Sequence, residues 1–165
     1  DGEEMYSGIL VYPEGQDPFA LLKDSPSEIA FAVGASSGES SAKAATNGKA
    51  AYGVANHAAA VGAVVAGKVK AAVVKNWWWA ANGDKFPGMK SVDIPGVSLQ
   101  QNPDNVPTAS RAVPAEVAEK VKLAALASSS VFGDNATMVP FEPSKLSFSL
   151  GLMQQGGIDP LTYSW

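Results

Sequence analysis

The chain has no cysteine, a single histidine and little charge of either sign. Without thiols there is no disulfide, no thiolate metal site and no cysteine nucleophile, although the lack does not fix the compartment, since many periplasmic proteins share it. One histidine and no clustered carboxylates leave a transition metal without a donor set, and no cofactor is expected. A charged share of 17% and a net charge of -4 provide no basic stripe for phosphates, so no nucleic-acid partner is expected. The longest uncharged run, residues 50–67, is mostly Ala and Gly with Asn56 and His57 inside it. It reads as buried soluble structure rather than a transmembrane segment.

What remains is a globular chain whose 165 residues, 46% of them hydrophobic, suit one α/β domain over residues 1–165. The opening "DGEEMYSG" lacks an initiator Met and a basic region, and reads as a mature end left by signal removal or as an arbitrary boundary. Neither "DGEE" nor "GDNATM" has the spacing of a Ca²⁺ loop, and Asn135-Ala136-Thr137 forms a glycosylation-type sequon.

Along the chain, apolar runs alternate with helix signals. Residues 8–12, "GILVY", closed by Pro13 and Gly15, suit a buried strand, and "QDPFALL" suits a helical turn with Pro18 near its start. Residues 28–33 alternate as a strand and run into the loop at residues 34–41, where Ser40 or Ser41 is placed to cap a helix ending near Asn47-Gly48. A short strand within residues 50–57 leads to Asn56, an N-cap for an apolar helix over residues 57–66 that Gly67 ends. Residues 69–74, "VKAAVV", make a third buried strand. This alternation predicts an α/β fold, a single three-layer lobe with a mostly parallel or mixed sheet.

The second half is less regular. Pro87, Pro95, Pro103 and Pro107 break residues 82–108 into loops, and residues 106–113, "VPTASRAV", suit a strand entering or leaving the sheet. The clearest helix follows, with Pro114 in its first turn, acids before lysines, and Val117, Val121, Ala124 and Ala125 on one face. Residues 128–148 are polar and irregular, and residues 150–165 hold one helical turn, a Gly-Gly stop and an Ile-Asp-Pro turn.

The loop in "FAVGASSGESSAKAA", residues 31–45, admits several chemistries. A credible strand before it and a credible helix after it exclude a free linker. Gly34-Ala35-Ser36-Ser37-Gly38 matches the G-x-S-x-G nucleophile elbow, but His57 precedes most of the candidate acids, whereas that hydrolase class places its acid before a late His. No catalytic residue is assigned. A helix N-terminus presents free N–H groups and partial positive charge, to which Ser36, Ser37, Ser40 and Ser41 add hydroxyl donors, so a small oxyanion is a chemically suitable ligand. An ordinary serine-capped helix after a glycine turn accounts for the same residues.

The order "EIAFAVGASSGESSA", "GVANHAAAVGAVVAGKVKAAVVKNWWW", "VPAEVAEKVKLAAL", "MVPFEP" and "GGIDPLTY" resembles the second half of phosphate/phosphonate-type periplasmic solute-binding proteins of ABC transporters, which have the type II binding fold. The resemblance runs over residues 7–163. It implies one lobe of a two-lobe binding protein plus a C-terminal segment, periplasmic or extracellular and non-enzymatic. It also implies that Ser36, Ser37 and His57 are ligand contacts and that Asn76 faces the ligand. The sequence departs from that family at Ala58, where phosphonate binders often carry Glu, at Lys70, where Asp is usual, and at Glu39 inside the loop.

The run Trp77-Trp78-Trp79 ends the third strand. Continued as a strand, it places Trp77 and Trp79 on one side and Trp78 on the other, so at least one ring leaves the core. That makes the run a candidate surface for a protein partner or a ring-stacking ligand, with a Pro-rich cover from residues 87–107 as the plain alternative. The leading expectation is a secreted lobe that binds a small oxyanion. The second is a scaffold subunit of a larger extracellular or membrane-attached assembly, using the lobe for protein contacts.

Overall fold

The computed structural model describes residues 4–132 and 137–165. Asn135 and Ala136 of the sequon, most of "GDNATM" and the first three residues lie outside them. The uncharged run of residues 8–12 forms the strand β2 (Gly8–Pro13), after a two-residue strand β1 (Met5–Tyr6). Next comes α1 (Pro18–Asp24), where the Asp17 carboxylate accepts from the N–H groups of Phe19 and Ala20, and Pro18 stands where an N–H has no helical acceptor. A 3₁₀ turn leads into β3 (Ile29–Ala32). Then follow a π-helical turn (Ser36–Ser40), α2 (Ser41–Ala45), β4 (Tyr52–Val54), α3 (His57–Val65) and β5 (Ala71–Lys75). The remaining elements are α4 (Asn76–Asn82), β6 (Met89–Val92), β7 (Asn102–Pro103), α5 (Ala115–Ala127) and α6 (Ser147–Gln155).

Five strands form a mixed sheet in the order β4-β3-β5-β2-β6, with β3 parallel to β4 and β5, and β2 antiparallel to β5 and β6. Because side chains alternate along a strand, the register sends Leu10, Val73 and Phe31 to one face and Ile9, Val74 and Ala30 to the other. The first face packs on Leu22, Ala42, Ala44 and Leu152, brought by α1, α2 and α6. The second packs on Ala60, Val61 and Val64 of α3 and on Val69. Covering both faces gives three layers, as the alternation predicts, and explains why the central strands carry no polar side of their own. Away from this sheet, β1 and β7 pair antiparallel, with Tyr6 opposite Asn102.

Four local expectations fail, each for a physical reason. The helix after the loop starts at Ser36 rather than at Ser40 or Ser41, and neither serine side chain caps it. The early start needs Gly38, since a Cβ there would lie 2.7 Å from the Ala32 carbonyl oxygen and 2.9 Å from its nitrogen. The tryptophan run is helical. The Asn76 N–H donates to the Ser7 carbonyl in the last sheet bond, its side chain accepts from the Ser7 N–H, and α4 begins there. At about 100° per residue the rings fan out: Trp77 meets Tyr6, while Trp78 and Trp79 meet Phe86, with centroids 6.0–6.2 Å apart. All three rings are half-buried, and Phe86, just before the Pro-rich stretch, covers part of two of them. Residues 106–113 form no strand, and all but the half-buried Val106 lie exposed. The helix α5 forms where expected, but its apolar stripe is not a core face: Val117 and Val121 are exposed, and none of its residues is buried.

No helix among the described residues is long and apolar enough to cross a membrane; residues 50–67 divide between β4, α3 and their flanking turns.

Candidate functional site

Since β3, β4 and β5 run parallel, whatever follows each of them lies on one edge of the sheet. These followers are the serine turn, His57 at the start of α3, and Asn76 at the start of α4, with Lys75 as the last residue of β5. The antiparallel β2 starts at the same edge, which brings Ser7 and Tyr6 to it as well. The edge beyond the carboxyl ends of parallel strands is where open α/β sheets hold ligands, because loops and helix N-termini converge there. Gly8 lets the turn sit close, since a Cβ on it would lie 2.5 Å from Ser41 Oγ.

Within the turn the four serines do different things. Ser37 Oγ lies 3.4 Å from His57 Nε2. Ser36 places its hydroxyl beside the Tyr6 phenol, and its carbonyl accepts from Ser41 Oγ at 2.7 Å. Ser40 and Ser41 are fully buried, and Ser41 is spent on bracing the turn. The Ser40 hydroxyl has no hydrogen-bond partner among the described residues. Ser37 and His57 therefore come together, Ser36 turns to Tyr6 beside them, and Ser40 and Ser41 are buried within the turn. Asn76 is near, but its side-chain oxygen is held by the Ser7 N–H.

Burial, and secondarily the Lys75 charge, push the His57 pKa below its usual 6.5, so the ring is neutral at pH 7. Its Nδ1 is buried and has no partner among the described residues, so no carboxylate orients the ring for a serine nucleophile. The serine beside His57 is moreover Ser37, not the Ser36 of the G-x-S-x-G pattern.

Glu39, the residue that most disfavours an anion in the sequence, is turned away. It is only 4% exposed, with Oε2 accepting from the Gly34 N–H at 2.8 Å and Oε1 from the Tyr163 hydroxyl at 2.6 Å. Burial, helped by the same contact, holds the Tyr163 phenol up at about 12. The carboxylate thus fastens the C-terminal segment to the back of the serine turn.

Three residues of the edge escape a sequence reading. Lys75 Nζ forms a 2.6 Å ion pair with Asp104 and lies 4.5 Å from the Tyr6 ring centroid and 4.6 Å from that of Trp77. Burial raises the Tyr6 pKa; the Ser36 hydroxyl opposes that shift and the Asp104 carboxylate adds to it. Lys75 has a local signal as the last residue of an apolar strand. Asp104 has none, because only the β1–β7 pairing and the bond from its N–H to the Glu4 carbonyl bring it there. Concavities elsewhere, between α1 and the end of α2 and beside α6, are not lined by these residues. Among the described residues no group of His, Asp and Glu is arranged to hold a metal ion.

The mixed sheet and its covered faces make a mixed α/β lobe whose fold is periplasmic-binding-protein-like. Among solved structures the chain is similar to an ancestral arginine-binding protein bound to glutamine, with 24% identity and a TM-score of 0.54 over 73% of this chain. It spans 52% of that structure's length. No protein-family model matches the chain, and no curated protein does.

Proposed function

We propose that the chain is a non-enzymatic binding lobe of a periplasmic or extracellular solute-binding protein, taking the oxyanion group of a small ligand at the edge formed by Ser36, Ser37, His57 and Lys75. The observation that carries this reading is the convergence of the Ser37–His57 pair with a lysine framed by two aromatic rings, at the end of the sheet where such folds hold ligands. A neutral imidazole and hydroxyls supply directional donors, and Lys75 supplies charge. That His57 Nδ1 has no partner among the described residues favours binding over hydrolysis. Phosphate or a phosphonate is the preferred ligand class. The carboxylate of an amino acid such as glutamine is the second, favoured by the glutamine-bound structural neighbour.

Ligands that bind only the folded state raise the melting temperature. Millimolar inorganic phosphate, methylphosphonate, glutamine and arginine are compared by thermal melting and titration calorimetry. At least one is expected to raise the melting temperature, and Ser37→Ala and Lys75→Met are expected to lose most of the rise. No shift with any of the four overturns the reading. The scaffold reading draws on the exposed Val117, Val121 and Leu123 of α5, and a strict monomer at high concentration removes it.

A further inference from the structure

The ion pair at the edge raises a question of competition. Lys75 is the cation through which the proposed site would hold an anion, yet its ammonium already meets a carboxylate at 2.6 Å. Both side chains are largely enclosed, at 23% and 22% exposure, so water screens the pair less than it screens the exposed pairs on α5. The pair is also placed by the fold. Asp104 is fixed by the bond from its N–H to the Glu4 carbonyl and by the Asn105 side-chain amide, which donates to Oδ2 at 2.8 Å. Lys75 is fixed by β5 and by the Tyr6 and Trp77 rings on which its ammonium rests.

We propose that Asp104 is a built-in competitor for the anion at Lys75, and that its charge sets which anions the edge accepts. The inference rests on the oxyanion reading above. A ligand oxyanion and the Asp104 carboxylate cannot both take the same ammonium donors without repelling each other, so binding must displace or share the Asp104 contact. The repulsion grows with ligand charge, and the native edge therefore disfavours dianions more than monoanions. Neutralising Asp104 frees the ammonium and removes the repulsion, while the backbone bonds that place residue 104 stay intact.

The test is titration calorimetry on the full chain at pH 8 and low salt, with inorganic phosphate as a mostly dianionic probe and methanesulfonate as a monoanion. The variants are Asp104→Asn and, as a second neutral replacement, Asp104→Ser, with thermal melts to show that each is folded. Phosphate affinity is expected to rise about tenfold in Asp104→Asn, with a smaller gain for methanesulfonate, as befits removal of one like charge beside the ligand. Binding by the variant alone, with none by the native chain, supports the proposal equally. Unchanged or weaker phosphate binding in both folded variants, with binding by the native chain, overturns the competitor role and leaves the oxyanion reading standing, since Asp104 then only positions Lys75. An equal gain for both probes overturns the charge selection. No binding by any form overturns both.

Discussion

The sheet and the segment at residues 104–146 are two regions built on similar sequence signals and different physics. In the sheet, Leu10 and Val73 are fully buried beneath the helices that cover one face. In the other segment, α5 has a proline start, a Glu116–Lys120 pair at 2.6 Å and a Glu119–Lys122 pair at 3.0 Å, and yet no buried residue. A clear helical pattern therefore predicts the helix but not its packing, because exposed ion pairs and a favourable start act locally. The greatest expected effect lies in the first region. Leu10→Ala removes a fully enclosed side chain and is expected to lower stability by about 3 kcal/mol, read from chemical denaturation.

The C-terminal segment belongs energetically with the sheet, although it lies beyond α5 in sequence. The Ser149 hydroxyl donates to Asn102 Oδ1 at 2.7 Å in α6, and Tyr163 donates to the buried Glu39. Tyr163→Phe leaves one carboxylate oxygen without its donor, but water reaches the half-buried phenol, so the expected loss is about 1 kcal/mol. The pH dependence sharpens this. A phenol held up at about 12 against its ordinary 10 contributes stability that is complete below pH 10 and is lost as pH rises toward 12. Melts across that window are expected to fall less steeply in Tyr163→Phe than in the native chain. Equal slopes would detach the C-terminal segment from the turn.

His57 gives a smaller contrast with the opposite sign. Its lowered pKa means that the folded state prefers the neutral ring, so its contribution is present above pH 6.5 and is lost as pH falls below that value. His57→Gln is expected to flatten the acid side of the stability profile and leave the alkaline side unchanged. An unchanged acid limb would place the ring in water rather than against Ser37 and Trp78.

How much of this was legible depends on whether the cause was local. The three buried strands could be read because a short apolar run has few other homes, and Asn56 could be read as a cap because its side chain does bond the Ala59 N–H. The tryptophan run misleads because aromatic residues favour strands, while the bond between Asn76 and Ser7, far apart in sequence, ends the strand first. In the site, Ser36, Ser37 and His57 follow their strands directly, and the parallel sheet brings them together. Asp104 reaches Lys75 through a two-residue ladder between β1 and β7, too short to leave a periodic signal.

The smallest expected effect tests the opening contrast most directly, because it deletes the same atoms in the other region. Leu123 of α5 is 57% exposed, so Leu123→Ala removes little contact, and alanine favours the helix slightly more than leucine does. The stability change is expected to stay within about 0.5 kcal/mol, against the much greater loss at Leu10. Hydrogen exchange should agree: an isolated helix of 13 residues is marginal in water, so amides of α5 should exchange much faster than those of β5. If Leu123→Ala instead costs as much as Leu10→Ala, the α5 face is covered in solution, and the division between the two regions fails at its simplest point.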